Sequence, residues 1–206
     1  MNIGVATTQG RPYFRILQIL KGSCIRFNSI LPKDITSYDG ITITTKSESP
    51  KHKNSIYYEE IFDKHPTIVL GYLARYLQQP YGDEHLVMGI DPGRRIGLAI
   101  FYRGVEIESS VYQSVDKLVS HLAIVLACLR ARKKTIRIGC AHMGSAKRIA
   151  DALNSKSSST FEIEFIDEYK TTIRTKNQNQ GGKRDKLSAK FISQRVGYRH
   201  ELVTHL

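Results

Sequence analysis

Apolar positions along this chain change their period several times, and each change marks an element. Residues 3–7 (IGVAT) form a short apolar run before a Gly-containing turn, which predicts a strand. Residues 12–22 place Phe14, Ile16, Leu17, Ile19 and Leu20 at helical spacing between a proline and a glycine, which predicts a helix. Residues 24–30 and 40–45 read as strands, and the polar stretch 46–55 as a loop. Residues 65–80 offer Ile68, Leu70, Tyr72, Leu73 and Leu77 for burial on a second helix, with Pro80 to end it. This β-α-β-β order suits half of a small parallel α/β layer. The polar YGDEH that follows reads as a linker. A boundary near residue 82 divides a small α/β domain (residues 1–82) from a second domain (residues 83–206).

The second domain is more regular. Residues 86–91, 95–104 and 105–113 read as three strands, the last two joined by an Arg103-Gly104 hairpin turn. Residues 114–134 predict a helix. Ser114 suits its cap and Asp116 its positive end; Arg130, Arg132, Lys133 and Lys134 suit its negative end. A strand over 135–141, a helix over 144–155 and a strand over 161–167 follow, the last alternating at Phe161, Ile163 and Phe165. A final helix over 183–197 sets Leu187, Phe191, Ile192 and Val196 on one stripe. Three meandering strands, then helix, strand, helix, strand, helix, describe a mixed sheet with helices on its faces.

Composition adds a direction. The 206 residues are 41% hydrophobic, enough for a real core. Lys and Arg number 31 against 19 Asp and Glu, a net charge of +12. Such a balance suggests a polyanionic partner, nucleic acid or an anionic membrane surface. No window approaches the roughly 18 apolar residues of a membrane span, and the start of the chain lacks a signal-peptide pattern. Cys24, Cys128 and Cys140 are unclustered. These features point to reduced thiols, a cytoplasmic setting, and neither a membrane partner nor a Cys-based metal site.

The candidate chemistry lies in carboxylates at strand ends. Asp91 closes an otherwise apolar strand, Asp167 and Glu168 close the last one, and Asp185 lies on or just before the final helix. Ligand sites of α/β sheets gather where strands end. Clustered carboxylates repel, and a divalent cation offsets that repulsion. Oxygen-only ligands favour Mg²⁺ or Mn²⁺ over zinc. Each acid also has a plainer reading: Asp91 as a turn former before Pro-Gly, Asp167-Glu168 as a solvated strand end, Asp185 as a helix cap.

The stretch GIDPGRRIGLAI (residues 89–100) resembles the opening strand-turn-strand of the RuvC and YqgF-like branch of the RNase H superfamily. IDEYKTT (166–172) is similar to the D-E-R-x-T-T/S motif of YqgF-like proteins, and DKLSAKFISQ (185–194) to the helix supplying the last acidic ligand. The resemblance covers about residues 85–197, with its three motifs in family order. It implies an RNase H-like mixed five-stranded sheet flanked by helices, preceded here by the small α/β domain. It implies Asp91, Glu168 (with Asp167 its alternative) and Asp185 as catalytic metal ligands. It further implies a Mg²⁺- or Mn²⁺-dependent endonuclease on branched DNA, such as a Holliday junction, or on structured RNA. Symmetric cutting would suit a homodimer.

Basic residues fit the same picture. Lys170, Arg174, Lys176, Lys183, Arg184, Lys186 and Lys190 surround Asp185, and Arg94 and Arg95 follow Asp91; all suit phosphate contacts. Tyr102, Tyr112 and Tyr169 are candidates for stacking on unpaired bases. Two departures stand out. Tyr169 replaces the Arg of the YqgF-like motif, and the segment GCAHMGSA after the fourth strand carries His142 but no carboxylate, unlike RuvC. They motivate a second reading, a non-catalytic nucleic-acid-binding protein on the same fold. An actin-like ATPase is a third, but it would carry a second Asp-x-Gly hairpin, which this sequence lacks.

Overall fold

The computed structural model describes residues 2–23, 25–49, 52–77, 84–167, 181–195 and 197–199. The chain divides into two compact units, Met1–Pro80 and Tyr81–Leu206.

The first unit comprises β1 (Ile3–Ala6), α1 (Gly10–Gly22), β2 (Asn28–Ser29), a 3₁₀ turn (Pro32–Ser37), β3 (Ile41–Thr44), β4 (Ser55–Tyr57), α2 (Tyr58–Ile61) and α3 (Pro66–Leu77). Its sheet is parallel throughout, in the order β2-β1-β3-β4. Val5 and Ile43 from the strands, Ile16 and Leu20 from α1, and Phe62, Val69 and Leu73 near the unit's end share one core. The strand expected over 24–30 shrinks to two exposed residues, because Ile25 and Phe27 turn onto the core rather than into a ladder. The stretch read as a loop ends in β4, whose three residues are too few to show alternation.

A carboxylate ties two loops of this unit together. Glu48, beyond β3, accepts hydrogen bonds from the backbone N–H and hydroxyl of Thr8, both at 2.6 Å, and from the Thr45 hydroxyl at 2.7 Å. Thr8 lies between β1 and the start of α1. Burial pushes the Glu48 carboxyl up, but hydrogen bonds from Thr7, Thr8 and Thr45 outweigh it and hold it at about 2.

The second unit comprises β5 (His85–Asp91), β6 (Ile96–Tyr102), β7 (Val105–Tyr112), α4 (Val115–Cys128), β8 (Lys133–Gly139), α5 (Met143–Lys156), β9 (Glu162–Ile166), α6 (Gly181–Gln194) and β10 (Tyr198–Arg199). The sheet order is β10-β9-β8-β5-β6-β7. β6 runs antiparallel to β5 and β7, while β5, β8 and β9 are parallel. With β5 counted as the first strand, the order is 3-2-1-4-5, the RNase H-like arrangement. The two-residue β10 extends the expected five strands to six. α4 and α5 pack on each other, on β7 and on β8, whereas α6 lies across β5, β6, β7 and β8.

The turn between β6 and β7 follows from its residues. Arg103 (φ 54°) and Gly104 (φ 80°) both occupy the left-handed region, as a two-residue type I′ turn requires. Further along the hairpin the register slips, so that Phe101 faces Glu106 while Ile100 faces Glu108. This bulge at Ile107 sends two glutamates that lie two residues apart to opposite faces of the sheet. Glu106 meets Lys190 of α6 at 2.7 Å. Glu108 meets His121 of α4 at 2.6 Å, where Ser110 and Tyr112 also donate to it. Burial and the Glu108 charge push the Tyr112 hydroxyl up.

Several expected details differ. α4 stops at Cys128, not near residue 134: Leu129 is extended and buried, and Lys133 and Lys134 open β8 instead. Lys134 still serves the helix's negative end from the strand, donating from Nζ to the Leu126 carbonyl at 2.5 Å. Ser114 holds the N-cap position without a side-chain capping bond. On α6 the buried residues are Ala189, Ile192 and Ser193, while Leu187 and Phe191 are exposed; Val196 lies outside the described residues. Of the expected apolar stripe, Ile192 is buried, whereas Leu187 and Phe191 are not. Among the described residues no helix is long and apolar enough to cross a membrane.

The Glu48 tether gives a pH signature. Its folded pKa is depressed, so its contribution is full above the ordinary carboxylate range and fades as pH falls from about 4.5 toward 2. Glu48→Gln should lower the stability of the first unit by about 1 kcal/mol at pH 7, after discounting for solvent screening. The gap between wild type and variant should narrow in urea titrations repeated at about pH 3.

Candidate active site

The site is built by an absence of side chains. On β5 and β6 the row facing α6 contains Gly89, Asp91, Gly97 and Ala99, with Gly89 paired to Ala99 and Asp91 to Gly97. A Cβ at Gly97 would collide with the backbone carbonyl of Asp185; one at Gly89 would collide with the Ala189 carbonyl and with Ser193. The α6 backbone thus rests almost directly on the two strands. Asp185 sits over Gly97, the cross-strand partner of Asp91. The sequence folds this way because only glycine admits so close a backbone approach.

Polar clamps hold the helix in place. The partly buried Arg137 on β8 donates from Nε to Glu164 on β9 at 2.8 Å and from Nη1 to the Ser193 carbonyl at 2.6 Å. Lys190 pairs with Glu106 and lies 5.8 Å from the centre of the Phe101 ring.

β5, β8 and β9 all end at one edge of the sheet, and β7 ends there too. At this edge Asp91, Gly93, Arg94, Arg95, Gln113 and Asp185 line a cavity of about 720 Å³. Arg95 Nε lies 3.0 Å from Asp185 Oδ2. The two are misaligned for a hydrogen bond, so Oδ2 is buried yet accepts none among the described residues. The contact is an ion pair without directional bonding.

The predicted residues separate into groups. Asp91, Asp185, Arg94 and Arg95 come together in the cavity. Asp185 lies inside α6, four residues from its start, and not at the cap. Asp167 follows β9, two strands from β5, which is about 10 Å of sheet, and it is not among the cavity's lining residues. Glu168, Tyr169, Lys170, Arg174 and Lys176 lie outside the described residues. Lys183 and Arg184 are exposed, Lys186 is half-buried, and Lys190 is engaged by Glu106.

The chain matches no family model and no curated protein by sequence. One solved structure resembling it is that of the N. crassa QDE-2 AGO MID-PIWI domains, at 11% identity and a TM-score of 0.30. The likeness covers 94% of this chain and 80% of that one. A likeness at this level assigns no activity, and the site must be read from its own residues.

One feature escaped the sequence reading. Gln113 lines the cavity because β7 ends beside β6, and a lone glutamine after a strand gives no signal. Of the tyrosines proposed to stack, Tyr102 is buried, its hydroxyl donating to the Arg130 carbonyl at 2.7 Å, and Tyr112 is half-buried with one ring face stacked on His121.

Arg95 is also partly committed to Asp185 rather than wholly to phosphate. As for a cation, the described residues fit a hard one: two carboxylates on separate elements, one with a buried oxygen lacking a hydrogen bond, and among the described residues no thiol or imidazole lining the cavity.

Gly97→Ala tests the glycine floor. Overpacking here should destabilise the second unit by about 1–3 kcal/mol, measured by urea denaturation. Gly104→Ala, at a turn with nothing near its Cβ, serves as the comparison for backbone strain alone.

Proposed function

We propose that the protein is a nucleic-acid-directed phosphodiesterase of the RuvC and YqgF-like kind, cutting branched DNA or structured RNA with Mg²⁺ or Mn²⁺. One observation carries the reading: the glycine floor sets Asp185 of α6 beside the strand end that bears Asp91, in one cavity with two arginines. Asp91 and Asp185 would hold the cation, and Mg²⁺ commonly completes so sparse a protein set with water. When bound, the ion supplies Lewis-acid activation of water and stabilises charge on the leaving oxygen. Glu168 is proposed as a further ligand on the strength of the family resemblance.

The chain's own residues do the rest. Arg94, exposed on the β5–β6 turn and lining the cavity, would meet a phosphate flanking the cut. Lys183 and Arg184, exposed on the first turn of α6, would add further phosphate contacts. Such contacts give affinity without reading sequence. Junction resolution would require two copies, each cutting one strand.

A second reading has its own observation. Arg95 already neutralises Asp185, and among the described residues no group of three or more His, Cys, Asp or Glu is arranged to hold a metal. The protein would then bind structured nucleic acid without cutting it.

Cleavage of a four-way junction, a flap and a stem-loop RNA, with Mg²⁺ or Mn²⁺, separates the two. Cutting by wild type should fall more than about 100-fold in Asp91→Asn and in Asp185→Asn, the loss of several kcal/mol of charge stabilisation. Salt-sensitive binding with no cutting in any metal would leave the second reading standing. In filter binding, Lys183→Ala and Arg184→Ala should each flatten the plot of log affinity against log salt by about 0.9 on duplex DNA.

A further inference from the structure

We propose that Arg95 is a resident counter-ion that keeps the carboxylate pair closed, and that it yields Asp185 when a divalent cation enters. The inference rests on the metal-dependent reading above and assigns that site a regulation it would not otherwise have.

Four observations support it. First, among the described residues the charges lining the cavity already balance: Asp91 and Asp185 stand against Arg94 and Arg95. Repulsion between the acids, the usual drive for cation capture, is thereby reduced before any ion arrives. Second, Arg95 lies 3.0 Å from Asp185 Oδ2, close to the region a cation on that oxygen would occupy. A divalent ion and a guanidinium cannot both sit there without strong repulsion. Third, the contact lacks hydrogen-bond alignment, so it is held by charge attraction and by little else. Fourth, the two partners are unequally anchored. Asp185 is carried on a helix fixed over Gly97, with its side chain 20% exposed, whereas the Arg95 side chain is 47% exposed on a turn. Arg95 makes no other ion pair among the described residues. When the pair opens, Arg95 is therefore the member that moves.

Released, Arg95 gains its natural partner in an incoming phosphate, for which a guanidinium fork is well shaped. Cation and nucleic acid would then help each other in, since each removes what Arg95 opposes to the other. The resting site would hold cations weakly and engage them when substrate is present.

Mn²⁺ binding to the full chain tests this without reference to cleavage, by the electron paramagnetic resonance signal of the free ion. Arg95→Gln should bind Mn²⁺ about three- to five-fold more tightly than wild type, the range expected for removing a half-exposed ion pair. Arg95→Lys keeps the charge and should stay within about two-fold of wild type. Asp185→Asn should abolish the gain when combined with Arg95→Gln. Equal or weaker binding by Arg95→Gln, with wild-type binding still lost in Asp185→Asn, would overturn the counter-ion while leaving the metal site intact. Mn²⁺ binding by neither wild type nor Arg95→Gln would overturn the metal-dependent reading, and the counter-ion with it. Circular dichroism of the two single Arg95 variants should match wild type, because Arg95 lies on the surface.

Discussion

The second unit depends on one contact of backbone with backbone. α6 lies over Gly89 and Gly97 so closely that its Asp185 and Ala189 carbonyls and only the small side chains of Ala189 and Ser193 meet the strands there. That contact buries little apolar volume of its own, so the helix needs anchoring along its length. Arg137 and Glu164 supply it near one end, buried at 12% and 9% side-chain exposure, with Arg137 also bonded to the Ser193 carbonyl. Lys190 and Glu106 supply it along the flank. Breaking a buried pair of the first kind typically costs about 3–5 kcal/mol, because the remaining charge stays desolvated. Both pairs have the same consequence for the site, in that they fix where Asp185 sits relative to Asp91.

The opposite face of the sheet is held by different means. Leu118, Leu122 and Val125 of α4, Ile149 and Leu153 of α5, and Leu86, Met88 and Ile90 of β5 are all buried, a conventional apolar layer. Polar groups enter there too: Glu108 with His121, Ser110 and Tyr112, and Lys134 on the Leu126 carbonyl. The sheet is thus asymmetric: one side is packed by volume, the other by close approach and charge. The cavity opens on the side where little bulk intervenes.

Much of this was legible in the chain. Strand and helix order in the second unit follows from hydrophobic period alone, and a strand-end acid, the arginines behind it and an acid at the last helix mark Asp91, Arg94, Arg95 and Asp185. What period could not convey was which face of α6 turns inward. Leu187 and Phe191 are the larger apolar residues, and pattern reasoning buries the larger ones. The sheet instead accepts Ala189 and Ser193, because its floor is glycine. That preference belongs to residues about ninety positions away in sequence. The Arg95–Asp185 pair was hidden for the same reason. The short β4 and the early end of α4 were missed because three residues carry no period and because Leu129 continues a helical pattern while adopting an extended backbone.

The bulge at Ile107 bears on how the molecule meets its own kind. β7 is the outer strand on its side of the sheet, and an outer strand offers an open ladder to any passing chain. A regular β7 would present a straight row for pairing. The bulged strand bends and twists instead, and it carries Glu106 and Glu108 at the irregularity. The device that divides two glutamates between the faces of the sheet is therefore also a guard against strand-to-strand aggregation. At the other margin, β10 covers part of β9 by antiparallel pairing.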